Sequence, residues 1–218
     1  MTRLRSYFRL LNSRDSELGR HAERVGAVTE ILTSDGLELL VDGGFLTADH
    51  LFSPDALEAV VQGALLHELG KVTLEDSILF SKTPLTEEEA FKLRSYPRLG
   101  FEVLAEVPSL RPETLRVVLH HQEKWDGSGY PLGLSEWSIP LEAQIVCLAD
   151  HFVHGAERQA SGAVTGNKSA IWMNERSSIY FNPLLVQAFE ALHQDIQRAA
   201  FDQSSEKAIP DRRMRELS

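Results

Sequence analysis

Apolar residues recur every three or four positions along almost the whole chain, and no two alternating apolar segments are joined by a hairpin signal. The pattern predicts an all-α fold. A first helix is expected over about 15–33, where Leu18, His21, Val25, Val28 and Leu32 share one face and turn His21 inward. Residues 35–52 mix polarities around Asp42-Gly43-Gly44 and read as a linker with room for one short helix. Ser53 as N-cap, Pro54 at the first helical position and Gly70 past the end bracket a second helix, with Leu57, Val60, Val61, Ala64 and Leu65 toward the core. It delivers His67 and Glu68 at its last turn. A capping box of Thr86 and Glu89, with Leu85 placed to pack on Ala90, starts a third helix that stops before Pro97, and the next covers about 99–107. A further helix over about 113–122 runs into Asp126-Gly127-Ser128-Gly129-Tyr130-Pro131, a cluster of turn residues expected at the surface near a site. Pro140 opens a helix with Leu141, Ile145, Leu148 and Ala149 inward and Asp150 near its far end; Pro183 opens the last, with Leu184, Ala188, Phe189, Leu192 and Ile196. The expected organisation is an extension over 1–12, one domain over 13–201 and a frayed polar tail over 202–218.

Composition narrows the function. The 218 residues are 43% hydrophobic and 25% charged, as in an ordinary globular domain. A chain of this length buries roughly 70% of the surface it exposes when unfolded, so its core needs neither disulfides nor a structural metal, and any metal is functional. Thirty-two acidic against 22 basic residues give a net charge of −10, which opposes nucleic acid or an anionic membrane surface as the main partner. The single cysteine, Cys147, fits a reducing compartment. No apolar run approaches the ~20 residues that span a bilayer, and the first residues lack the apolar stretch of a secretory signal, so a cytoplasmic location is expected.

Several predicted helices place imidazole or carboxylate groups at or near an apolar face, where an unpaired polar group costs several kcal/mol. The candidates are Glu17 and His21, one turn apart, His67 with Glu68, His120 or His121, and Asp150. Imidazole and carboxylate together suit Zn, Mn, Fe or Ni better than Mg or Ca.

The motifs around these residues resemble the HD-GYP family, a branch of the HD superfamily of metal-dependent phosphohydrolases, over about 13–192. They fall in the family's order, beginning with Arg14-Asp15, Glu17, Gly19, His21 and Arg24-Val25, then Leu65-Leu66-His67-Glu68-Leu69-Gly70-Lys71. Asp76-Ser77-Ile78-Leu79, Leu85-Thr86-Glu87-Glu88-Glu89 and Pro97 with Gly100 follow. The string His121-Gln122-Glu123-Lys124-Trp125-Asp126-Gly127-Ser128-Gly129-Tyr130-Pro131 is the most specific, and Ile139-Pro140, Ala149-Asp150 and Phe181-Asn182-Pro183 complete the set. The resemblance implies an HD-domain helical bundle with a GYP loop that hydrolyses cyclic di-GMP or a related nucleotide at two, sometimes three, metal ions. It also implies that His21, His67, Glu68, His121 and Asp150 are metal ligands and Glu17 the extra ligand of three-metal members. Lys71 falls where it can contact a phosphate as a point charge. Tyr130 lines the cleft or contacts a protein partner through the GYP loop.

Departures from the family pattern bear on activity. His67-Glu68 replaces His-Asp, which lengthens the arm by one methylene. Tyr96-Pro97 replaces His-Pro, and a phenol is a poor ligand in an imidazole site. Counting back from Trp125 without a gap puts the family's His-His on His121-Gln122, whereas a one-residue bulge would restore it as His120-His121. Val153 and Asn182 stand where Asp is usual, and His151 and His154 lie nearby without an assigned role. Sorting ligands by metal leaves His21, His67, Glu68 and Asp150 as one complete set and a second site that is weak or empty. Two functions stay open: a cyclic di-GMP phosphodiesterase with altered ligands, Lys71 and Asp150 carrying the catalysis, or a degenerate module that binds nucleotide or a protein without turnover.

Overall fold

The computed structural model describes residues 2–160 and 168–201. Its helices are, in chain order, α1 (Thr2–Arg14), α2 (Ser16–Ile31), α3 (Leu37–Asp42), α4 (Pro54–Leu66), α5 (Asp76–Leu79) and α6 (Glu87–Arg94). They continue with α7 (Tyr96–Ala105), α8 (Pro112–His120), α9 (Leu141–Ala160), α10 (Lys168–Glu175), α11 (Pro183–Ala191) and α12 (His193–Phe201). The fold is all-α; among the described residues the only β contact is an isolated bridge between Ser177 and Phe181. No helix among them is long and apolar enough to cross a membrane.

Local chemistry sets the boundaries. The Ser53 hydroxyl accepts from Ala56 N–H at 3.3 Å with Pro54 in the first turn of α4. Thr86 and Glu89 close a reciprocal capping box at α6, in which Glu89 accepts from Thr86 N–H at 2.8 Å. Asp15 caps α2 by accepting from Glu17 N–H at 2.8 Å.

Three segments depart from the sequence expectation. The stretch set apart as an N-terminal extension is α1, which buries Phe8 and Leu11 against Ala22, Leu65, Leu66, Leu69, Leu104 and Val118. Each such side chain contributes about 1.5–3 kcal/mol when fully buried. The stretch read as starting a linker at 35 stays helical to Asp42, because a π turn at Leu32–Gly36 connects α2 to α3. Leu32 and Leu37 lie five residues apart, a spacing that an unbroken 3.6-residue repeat would split between faces; the wider turn lets both reach zero exposure in the main core. Helix α10 was not anticipated. The tail expected to fray over 202–218 lies outside the described residues.

The main core joins α2, α3, α4, α8, α9 and α11 through Val25, Val28, Leu40, Val60, Val117, Ile145, Leu148 and Phe189. Helices α4 and α8 approach closely because residue 63 is glycine: a Cβ there would lie 2.6 Å from Val117 Cβ. That contact brings the ends of α4 and α8 together beside α2 and α9.

Candidate metal centre and cleft

Helix α4 stops at Leu66, and His67 is its C-cap. Glu68 follows at φ −94°, ψ 5°, and the chain tightens into a 3₁₀ turn over Leu69–Thr73. Both side chains are buried, His67 at 0% and Glu68 at 5% exposure. The turn sits directly on the start of α7, since a Cβ on Gly70 would come within 1.9 Å of the Tyr96 carbonyl oxygen. This contact places Tyr96 beside the His67-Glu68 pair.

Three imidazoles converge: His21 and His67 ring centres lie 5.7 Å apart, and His67 and His121 5.0 Å. All three have Nδ1 engaged. His67 Nδ1 donates to the Ala64 carbonyl at 2.6 Å and His121 Nδ1 to the Val118 carbonyl at 3.0 Å, while His21 Nδ1 lies 2.9 Å from Glu157 Oε2. Each ring thus turns Nε2 inward, the aim of a metal-ligating histidine, and the carbonyl acceptors fix the Nδ1–H tautomer of His67 and His121.

The oxygen groups complete one half of the centre. Asp150 Oδ1 lies 2.9 Å from His21 Nε2 and 3.8 Å from His67 Nε2. Burial opposes charge on both, yet interaction with His21 and His67 holds Asp150 well below the usual carboxylate range. Burial likewise disfavours charge on His21, but hydrogen bonds to Asp150 and Glu157 lift its pKa to about 10. Glu68 is buried with Oε1 paired to Lys71, and burial is outweighed by that ammonium so that its pKa falls. Two buried atoms here have no hydrogen-bond partner, His67 Nε2 and Glu68 Oε2. Both offer lone pairs, and leaving them unmatched costs about 1–3 kcal/mol each. A divalent cation satisfies both at once, so His21, His67, Glu68 and Asp150 fit a metal. Ligand atoms of His21, His67 and Glu68 all lie within 4.8 Å of one another.

The other half is closed by hydrogen bonds. Tyr96 O–H donates to His121 Nε2 at 2.8 Å, so the lone pair this ring would offer a metal is taken. Burial and the neighbouring His67 push the His121 pKa down to about 3, consistent with a neutral acceptor, and burial raises the Tyr96 pKa well above 10. Gln122 Nε2 donates to Asp150 Oδ2 at 3.2 Å and its Oε1 accepts from Tyr130 O–H at 3.2 Å. His121 and Gln122 therefore occupy the cleft positions without a bulge, and His120 lies away from it, its Nδ1 3.9 Å from Glu123 Oε1.

Beside the centre opens a cleft of about 620 Å³, lined by Glu68, Lys71, Tyr96, Gln122, Tyr130, Asp150, His151, His154, Trp172 and Tyr180 among others. Tyr130 is held there by the loop that carries it: Glu123, 1% exposed, accepts from Leu132 N–H at 2.7 Å and Leu134 N–H at 3.0 Å. A Cβ on Gly129 would lie 2.4 Å from Lys124 N.

Among the expected site residues, Glu17 is also kept apart. Its side chain is 71% exposed and pairs with Arg20, because Glu17 sits in the first, solvent-facing turn of α2. Val153 is fully buried in the apolar core, and Asn182 caps α11 by accepting from Leu184 N–H at 3.0 Å, so neither offers a ligand. Sequence reasoning missed Glu157, Arg24 as its partner at 2.8 Å, and the aromatic wall of Trp172 and Tyr180. Glu157 had a signal: it follows Asp150 by seven residues, two turns along the same face of α9.

Comparison with known proteins identifies the family. The model of the HD domain family matches residues 7–183. The chain belongs to the HD domain family, in its HD-GYP branch. HD-GYP relatives include a cyclic di-GMP phosphodiesterase of Vibrio cholerae serotype O1, 33% identical over 198 residues, which covers 85% of this chain and 38% of that protein. A cyclic di-GMP phosphodiesterase of Thermotoga maritima is 31% identical over 185 residues, 84% of this chain and 46% of that one. A cyclic di-GMP phosphodiesterase response regulator of Xanthomonas campestris pv. campestris is 38% identical over 122 residues, 55% of this chain and 32% of the relative. The chain thus spans less than half the length of these HD-GYP proteins. In fold, a crystal structure of a cyclic GMP-AMP specific phosphodiesterase of V. cholerae superposes with a TM-score of 0.63 at 18% identity, covering 95% of this chain and 52% of the other. HD domains are metal-dependent as a family, and this member's His and Glu side chains are grouped as a metal would require.

Proposed function

We propose that this HD-GYP domain hydrolyses a phosphodiester of a cyclic dinucleotide, cyclic di-GMP or a close relative, with one well-held transition metal, Fe, Mn, Zn or Ni. The observation that carries the reading is the pair of buried, unpartnered atoms His67 Nε2 and Glu68 Oε2, the second on a residue that lines the cleft. His21, His67, Glu68 and Asp150 would hold the ion. When bound, it supplies Lewis acidity toward a phosphoryl oxygen and lowers the pKa of water to ~7.

The chain's own residues supply the rest. Lys71, held beside Glu68, lines the cleft and presents positive charge to a phosphate. Tyr130, its pKa pushed up to about 12 mainly by burial, stays protonated and lines the cleft with its O–H donated to Gln122 Oε1. The aromatic wall of Trp172 and Tyr180 suits planar bases. Water adds across one P–O bond, and the ring opens to a linear dinucleotide. The relatives that are phosphodiesterases of cyclic di-GMP, and a 3′3′-cGAMP-specific phosphodiesterase of V. cholerae that is 29% identical, support this substrate class.

A second reading, nucleotide binding without turnover, is favoured by the Tyr96–His121 and Gln122–Asp150 bonds that fill the second metal half. Incubation of the Mn- or Fe-loaded protein with cyclic di-GMP, followed by chromatography, separates the two. Linear product that disappears in Asp150→Ala and with a chelator supports hydrolysis. Tight binding with no product supports the module.

A further inference from the structure

His67 and His121 are aimed by backbone carbonyls of their own helices, so the fold alone fixes them. His21 is aimed differently. Its Nδ1 meets a side chain from another helix, Glu157 on α9, and Glu157's second oxygen accepts from Arg24 at 2.8 Å. Arg24 lies one turn beyond His21 on α2, and Glu157 two turns beyond Asp150 on α9. Two facing helices are therefore laced in alternation: carboxylate, imidazole, carboxylate, guanidinium. Arg24 is itself braced, its guanidinium 5.2 Å above the Phe201 ring of α12.

We infer that Glu157, fixed by Arg24, is the positioning residue for His21: it holds the Nδ1 proton so that the Nε2 lone pair points at the metal. The inference rests on the metal reading above. A carboxylate on the far nitrogen of a ligating imidazole fixes its tautomer and rotation and raises its basicity, and loss of such a partner typically weakens metal binding 10- to 100-fold. On the same helix the exposed His154 lies nearby, its ring centre 6.0 Å from that of His21. Arg24 also decides between two roles for Glu157. Ligand atoms of His21, His154 and Glu157 lie within 4.8 Å of one another, but a guanidinium at 2.8 Å from the carboxylate opposes a second cation there.

The test is metal affinity, measured on the metal-free chain by Mn or Zn competition with a chromogenic chelator. Glu157→Ala should weaken binding 10- to 100-fold at an unchanged stoichiometry, and Glu157→Asp, which keeps the acceptor, should recover part of the loss. In the His21→Ala background the Glu157→Ala change should have no further effect, which general loosening of the fold would not reproduce. Affinity within twofold of wild type in Glu157→Ala overturns the inference. A fall in the number of ions bound also overturns it, making Glu157 a ligand. A wild-type chain that binds no metal refutes the metal reading itself, and the inference falls with it.

Discussion

On the proposed metal reading, Tyr96 and Gln122 are the residues that limit the cleft to one ion. Each makes a hydrogen bond where a metal–ligand bond would otherwise form, one on His121 Nε2 and one on Asp150 Oδ2. Replacing both with His should free those atoms and raise metal content from one ion toward two. If hydrolysis occurs, turnover should then rise at least tenfold, equivalent to ~1.4 kcal/mol of barrier. The single changes should do much less, because ligands of one ion act as a unit. Metal content and initial rates of the parent, both singles and the double check this. A double variant that gains an ion but no rate would place the defect at Glu68.

At the scale of elements, close approaches aim the site. A methyl group on Gly63 meets Val117 Cβ at 2.6 Å, so Gly63→Ala should push α4 from α8 and lower stability by about 1–3 kcal/mol in denaturant unfolding. Glu123 does for the GYP loop what Gly63 does for the helices. Glu123→Ala removes the acceptor of two loop N–H groups, and amide exchange at Leu132 and Leu134 should quicken while the core stays protected. Much of this was legible beforehand. Ser53-Pro54, Thr86 with Glu89, and the stop before Pro97 are local signals, and local hydrogen bonding honours them in the structure. His21, His67, Glu68, His121 and Asp150 were legible for a different reason: they lie in short motifs whose order is specific. The π turn was not, since a five-residue spacing between Leu32 and Leu37 looks like loss of periodicity when it is a change of turn. Helix α1 was passed over although Leu4, Phe8 and Leu11 carry the helical spacing. Glu157 and Arg24 come together only through the packing of α2 on α9, which no local pattern encodes.

For the whole molecule, the helices α2, α4, α8 and α9 bring the parts of one polar cluster, with buried carboxylates among them, into the interior beside the apolar core. Such a cluster is costly to bury unless a cation joins it, so the metal should stabilise the fold as well as serve chemistry. At an ion concentration 100 times Kd the gain is about 2.7 kcal/mol, visible as a rise in Tm that a chelator reverses. The number of ions bound tests the account most directly. Anaerobically purified wild type should hold one transition-metal ion per chain by elemental analysis, and His67→Ala should hold none. Two tightly held ions per wild-type chain, or one that survives His67→Ala, would contradict it.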